Sequence, residues 1–247
     1  MTKANSIVNV SAYYRKLLHT HTQLLTYEER KELRLLLAKF YSANTETSLQ
    51  FGHTLYDKLC IADTLLNEIG LGKAAVLSVL LQDVVESKAI ETERIEALFQ
   101  TNVSGIILGL TRVRELYEKN TSIETENFRK LFLTFAEDIR VILIIIAEHL
   151  QIMRTLDNYD SENRVNVARE SSFLYAPLAH RMGLYAIKTE LEDLSLKHTN
   201  REIFKEIAHK LNETKRSRDK YIHEFITPLK EKLDELGYHF DIKGRTK

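Results

Sequence analysis

Apolar residues recur at helical spacing along most of the chain. Between residues 8 and 41 the stripe is Leu17, Leu18, Leu24, Leu25, Leu33, Leu36, Leu37 and Phe40, which predicts two helices broken near Thr26. Short amphipathic helices follow over 54–69, 73–85, 90–99 and 103–117. They are separated by Gly70-Leu71-Gly72, Ser87-Lys88-Ala89 and Thr101-Asn102. Residues 122–135 and 139–155 form the next pair, and 139–146 is apolar almost all round, the pattern of a helix at the centre of a bundle. Residues 161–175 lead into Ala176-Pro177-Leu178. The stretches 185–196 and 201–236 are strongly charged and helix-favouring, and the last is expected to project from the body. After Gly237 the period changes to a strand-like alternation, Tyr238-His239-Phe240-Asp241-Ile242, with no partner strand after it. The expectation is an all-α fold that stops at the threshold of a second domain.

Composition supports that reading and removes some functions. Two prolines and eight glycines in 247 residues leave long helices as the default, and 44% hydrophobic content fills a sizeable core. With 35 Lys+Arg against 35 Asp+Glu there is no net field to gather DNA or an anionic membrane, so neither is expected as a partner. The longest apolar run, Val141 to Ala147, falls far short of the roughly 20 residues that a spanning helix needs. Met1-Thr2-Lys3-Ala4-Asn5 opens no secretory signal, and the lone Cys60 suits a reducing compartment, so the expected location is cytoplasmic. Cys60 sits in Leu59-Cys60-Ile61-Ala62 and reads as core. No fixed-period repeat or low-complexity tract interrupts the bundle.

Candidate chemistry gathers in two segments. Leu80-Leu81-Gln82-Asp83-Val84-Val85-Glu86-Ser87 ends a buried helix with Asp83 and Glu86 three apart, on one face. Glu148 follows the most apolar helix directly, where an acid needs a partner or a metal. On spacing alone these are equally ordinary helix-end acids and the first polar residue past a core. His19 and His21 lie two apart, on different sides of a helix, and read as surface or capping residues. Lys210, Lys215, Arg216, Arg218 and Lys220 are interrupted by Glu213 and Asp219, as on a solvated face.

Leu81-Gln82-Asp83-Val84-Val85-Glu86 resembles the Leu-His-Asp-Val-Val-Glu-Asp signature of the RelA/SpoT hydrolase domain. Asp138-Ile139-Arg140-Val141-Ile142-Leu143, Ala147-Glu148 and Met153-Arg154-Thr155-Leu156 resemble the central-helix block of the same family. Tyr175-Ala176-Pro177-Leu178-Ala179-His180-Arg181-Met182-Gly183 is similar to its most recognisable stretch, and Lys243-Gly244-Arg245-Thr246-Lys247 to the opening of its synthetase domain. The resemblance implies an HD-domain-like helical bundle over 1–196, a helical connector over 197–236, and the start of a synthetase (nucleotidyltransferase) domain over 237–247.

Active members of the family use a metal, commonly manganese, held by two histidines and two aspartates, to remove the 3′-pyrophosphate of (p)ppGpp. Carried over by position, those ligands fall on Lys58, Gln82, Asp83 and Glu148, and only Asp83 is retained. The water-positioning acids fall on Glu86, which is kept, and Ser87, which is not. The base-reading residues of the nucleotide pocket fall on Leu49 and Ile152, with Thr155 retained on its wall. His53, five residues before Lys58, points elsewhere on a helix. His149 stands where the family has an arginine, and His180 belongs to the scaffold motif in a hydrogen-bonded structural role.

A charged Lys58 cannot ligate, so no bound metal is expected. Its ammonium would replace the ion by pairing with Asp83 and Glu148. The resemblance then implies a pseudo-hydrolase domain acting as a regulatory and structural module for a downstream GTP pyrophosphokinase domain of the same protein. An active metal-dependent (p)ppGpp 3′-pyrophosphohydrolase using Asp83, Glu86 and Glu148 is one alternative. A non-hydrolysing guanine-nucleotide binding module is the other.

Overall fold

The computed structural model describes residues 3–21, 23–43, 54–99, 102–119 and 138–237. Among them there are eleven α-helices and no strand. The helices are α1 (Lys3–Thr20), α2 (Tyr27–Ala43), α3 (Leu55–Thr64), α4 (Lys73–Glu86), α5 (Thr92–Phe99), α6 (Ser104–Lys119), α7 (Ile139–Thr155), α8 (Ser161–Glu170), α9 (Ala176–Arg181), α10 (Tyr185–Thr199) and α11 (Arg201–Glu235). The expected helix over 122–135 and the strand-like run at 238–242 lie outside the described residues. The chain divides into two compact units, Met1–Ser195 and Leu196–Lys247. No helix among the described residues is long and apolar enough to cross a membrane.

Local chemistry sets where α3 begins. Thr54 and Asp57 form a reciprocal capping box, Thr54 Oγ1 accepting the Asp57 N–H while Asp57 accepts the Thr54 N–H at 2.9 Å. Asp57 also accepts Gln151 Nε2 from α7 at 3.0 Å, so one side chain fixes both the start of α3 and its register on α7. Lys58, the next residue, is thereby aimed inward. A π-turn over Leu65–Ile69 closes the helix, and it ends at Gly70, whose φ of 82° is left-handed and open to glycine at no steric cost.

Two apolar clusters build the first unit. One surrounds α7 through Val141, Ile144, Ile146, Leu150 and Met153. The other joins α1, α2, α4 and α5 through Leu17, Leu33, Leu37, Leu77, Leu81, Ile95 and Phe99. The all-round apolar pattern of 139–146 predicts one central helix, but α4 shares that role. Every residue from Ala75 to Val84 is buried, because Ala75 and Val79 face one cluster while Val76, Leu77, Leu80 and Leu81 face the other. At the other end of the pattern Ile139, the first residue of α7, is 59% exposed. Helix α6 comes very close to α7 at Gly109, where an added Cβ would stand 2.7 Å from Val141 Cγ2.

In the second unit α11 is capped by Asn200, whose side chain accepts the Ile203 N–H. The helix continues through Pro228, which removes one backbone donor. Thr227 Oγ1 donates to the His223 carbonyl there at 2.7 Å. Lys210 is exposed and pairs with Glu206 at 2.6 Å, as a solvated face requires, while the side chains of Lys215, Arg216, Arg218 and Lys220 lie outside the described residues.

Candidate functional site

Helix α4 packs on α3, α6 and α7, and the polar residues at its C-terminal end meet Lys58 from α3 and Thr111 and Arg114 from α6, Arg114 linking them on to Glu148 of α7. Lys58 on α3 is 3% exposed, and its Nζ lies 2.8 Å from Asp83 Oδ1 and 3.3 Å from the Val79 carbonyl. Tyr41 on α2 donates its hydroxyl to the other Asp83 oxygen at 3.0 Å. Asp83 thus spends both oxygens on an ammonium and a phenol. Gln82 is fully buried and donates its amide to Glu86 Oε1 at 2.8 Å.

Arg114 on α6 completes the arrangement. Its Nη2 reaches both oxygens of Glu148, at 3.0 and 3.2 Å, and the side-chain carbonyl of Gln82 at 3.0 Å. Its Nη1 reaches Glu86 Oε1 at 3.3 Å, and Thr111 donates to the same oxygen at 3.2 Å. Burial raises the Glu86 carboxyl above its ordinary range, with Arg114 and the Thr111 hydrogen bond opposing the shift. The expected pairing of Lys58 with Asp83 is present. Glu148, expected to share Lys58, is held by Arg114 instead, because α6 approaches α7 closely and carries a longer, forked cation there.

Behind Glu148 the imidazole of His149 stacks on Tyr175, with ring centroids 3.6 Å apart and planes 9° apart. Tyr175 donates to Glu170, and burial pushes that carboxyl up to about 7 against this hydrogen bond.

An HD-domain family model matches residues 35–185, more than half of the chain and all of this constellation. A GTP pyrophosphokinase of Myxococcus xanthus is 36% identical over 188 residues, covering 74% of this chain and 25% of that protein. A probable guanosine-3′,5′-bis(diphosphate) 3′-pyrophosphohydrolase of Synechocystis is 36% identical over 185 residues, 74% of this chain and 24% of that protein. The bifunctional (p)ppGpp synthase/hydrolase SpoT of Escherichia coli is 32% identical over 184 residues, with 74% and 26% covered. This chain is an HD-domain member of the RelA/SpoT family. It spans about a quarter of the length of the curated relatives it matches.

HD-domain hydrolases are metal-dependent, and a metal in this RelA/SpoT chain would need a donor set at the carried-over ligand positions. The residues present do not fit a divalent cation. The ammonium of Lys58 has no lone pair to give, the Gln82 amide is turned to Glu86, and a guanidinium already lies on Glu148. Among the described residues no three His, Cys, Asp or Glu side chains gather into a metal-holding group.

The other expected site residues that are described take no part in this network. Ser87 is exposed and donates to the Val84 carbonyl at the end of α4. Ile152 is half-buried against the α7 cluster, and Thr155 donates back to the Gln151 and Ile152 carbonyls of its own helix. Leu49 and His53 lie outside the described residues. His180, expected in a hydrogen-bonded structural role, is exposed, and its ring meets Tyr185 edge-on. Cys60 is half-buried beside Tyr13 and Tyr56 instead of in the core, and burial raises its thiol above the ordinary value.

Arg114, Tyr41 and Thr111 escape the sequence reading. Their partners are 42 residues away for Tyr41, 25 for Thr111 and up to 34 for Arg114, so helical periodicity carries no trace of them. The one local sign is Arg114 directly after Val113, four residues past Leu110, both buried.

Proposed function

We propose that this domain is silent as a (p)ppGpp hydrolase and acts as a regulatory and structural module of a RelA/SpoT protein. Pyrophosphate transfer from ATP to GTP or GDP then belongs to a synthetase domain downstream of it. Residues 1–196 make the HD-like domain in this reading, 197–236 a helical connector and 237–247 the opening of the synthetase domain, all in the cytoplasm. The supporting observation is the Lys58–Asp83 pair. The one retained ligand position is neutralised by a buried ammonium at 2.8 Å, so a water-activating ion has no charge left to bind there. A connector as long as α11, 35 residues, is suited to carrying a packing change between domains. Ile152 and Thr155 offer a guanine base an apolar side chain and a hydroxyl bonded to its own helix, which weakens the nucleotide-binding alternative.

The test is release of pyrophosphate from ppGpp by the purified chain, in manganese, in magnesium and in chelator. The expected result is no release above the chelator control. Metal-dependent release would contradict the reading and establish the active-hydrolase alternative.

A further inference from the structure

Glu148 leaves the most apolar stretch of α7 and lies half-buried beside α4 and α6, where a lone carboxylate would be costly. The side chain that answers it is Arg114. One guanidinium touches Gln82, Glu86 and Glu148, which come from two helices, and it does so with the planar fork that suits carboxylates. Lys58 takes the remaining acid. Two single positive charges therefore stand among Asp83, Glu86 and Glu148, the amount a divalent ion would bring.

We infer that Arg114 is the second half of a built-in counter-charge, and that its guanidinium, beyond the loss of imidazole ligands, keeps a divalent cation out of this acid pocket. A cation needs the carboxylate oxygens at about 2.0–2.6 Å, so Arg114 would have to leave both glutamates and face the incoming ion with its own charge. Only 13% of the Arg114 side chain reaches solvent, and its neighbours Leu110 and Val113 are packed in the core. Withdrawal of the guanidinium thus takes from Gln82, Glu86 and Glu148 the donor that they share. Replacing Lys58 and Gln82 by histidine is then insufficient to rebuild a metal site. The inference rests on the silent-hydrolase reading, but metal binding tests it without turnover.

Two variants of the full chain decide it: Lys58→His with Gln82→His, and the same pair with Arg114→Met. Manganese is titrated into each, the free ion being followed by its paramagnetic resonance signal, and melting is compared in manganese and in chelator. The two-histidine variant is expected to bind manganese no better than the native chain. Removing Arg114 as well is expected to tighten binding at least about tenfold and to raise the melting temperature by several degrees when metal is present. Tight binding by the two-histidine variant with Arg114 in place would overturn the inference. So would a folded triple variant that does not bind. If the triple variant loses cooperative melting in chelator, its behaviour in manganese decides, recovery supporting the inference and continued loss overturning it. A milder Arg114→Gln version of the triple variant gives the same two outcomes with a neutral polar side chain in place of the guanidinium. Hydrolysis by the native chain, the result that defeats the silent reading, is a separate observation.

Discussion

Helix α7 takes part in two arginine–carboxylate networks of the same chemistry in opposite surroundings. At Glu148, Arg114 bridges two glutamates where its side chain is 13% exposed. Six residues on, Arg154 bridges Glu190 and Glu68 with contacts of 2.6 to 3.3 Å, and a bond to Thr64 at 3.1 Å, but is 31% exposed. Hydrogen bonding to Glu190 outweighs burial and holds Arg154 above its ordinary value. Water can replace most of what the second network supplies. It cannot do so in the first, where each carboxylate and each cation depends on the others. Shorter contacts do not make the stronger dependence; the surrounding dielectric does.

Lys58 gives the comparison its largest expected effect. Lys58→Met leaves Asp83 buried with only the Tyr41 hydroxyl, and a loss of about 3–5 kcal/mol in urea unfolding is expected. An unchanged unfolding midpoint would mean the pocket is as well hydrated as the Arg154 surface.

Glu170 extends the comparison to an acid whose partner is the neutral Tyr175 hydroxyl rather than a cation. Its carboxyl is raised to about 7, so the folded chain keeps a proton that the unfolded chain releases in the ordinary carboxylate range. That stability is present below the ordinary carboxylate range and is lost as pH rises through 7. Glu170→Gln should therefore gain up to about 2–3 kcal/mol at pH 8 and almost nothing at pH 4, flattening the dependence of melting temperature on pH. Equal gains at both pH values would show that the carboxyl is not held protonated by its surroundings.

The smallest effect belongs to the exposed network. Arg154→Ala should cost about 1 kcal/mol, and the cost should shrink at high salt as screening replaces the pair. A loss as large as that of Lys58→Met would erase the distinction between the two networks.

The same contrast explains what was readable beforehand. Periodicity reports which face of a helix is buried, so the apolar spacing predicts α7 at 139–155, where it lies, and the acids at 83, 86 and 148 stand out because their positions adjoin apolar runs. The capping box at Thr54 and Asp57 shows why α3 starts where it does. Periodicity does not report partners across the bundle. Arg114 is an unremarkable charged residue in Arg112-Val113-Arg114-Glu115, and only the packing of α6 beside α4 and α7 brings it to Glu148. Residues 73–85 read as a short amphipathic helix with a buried end, and the full enclosure of α4 comes from Ala75 and Val79 packing in one cluster while Val76, Leu77, Leu80 and Leu81 pack in the other.

The central claim is that Lys58 and Arg114 supply the charge a metal would bring. The most direct measurement is equilibrium titration of manganese into the native chain, with the free ion followed by its resonance signal and melting recorded alongside. The account predicts that the free-ion signal rises in proportion to added metal and that the melting temperature is the same in manganese as in chelator. Tight uptake of one ion per chain, with a raised melting temperature that the chelator reverses, would contradict it.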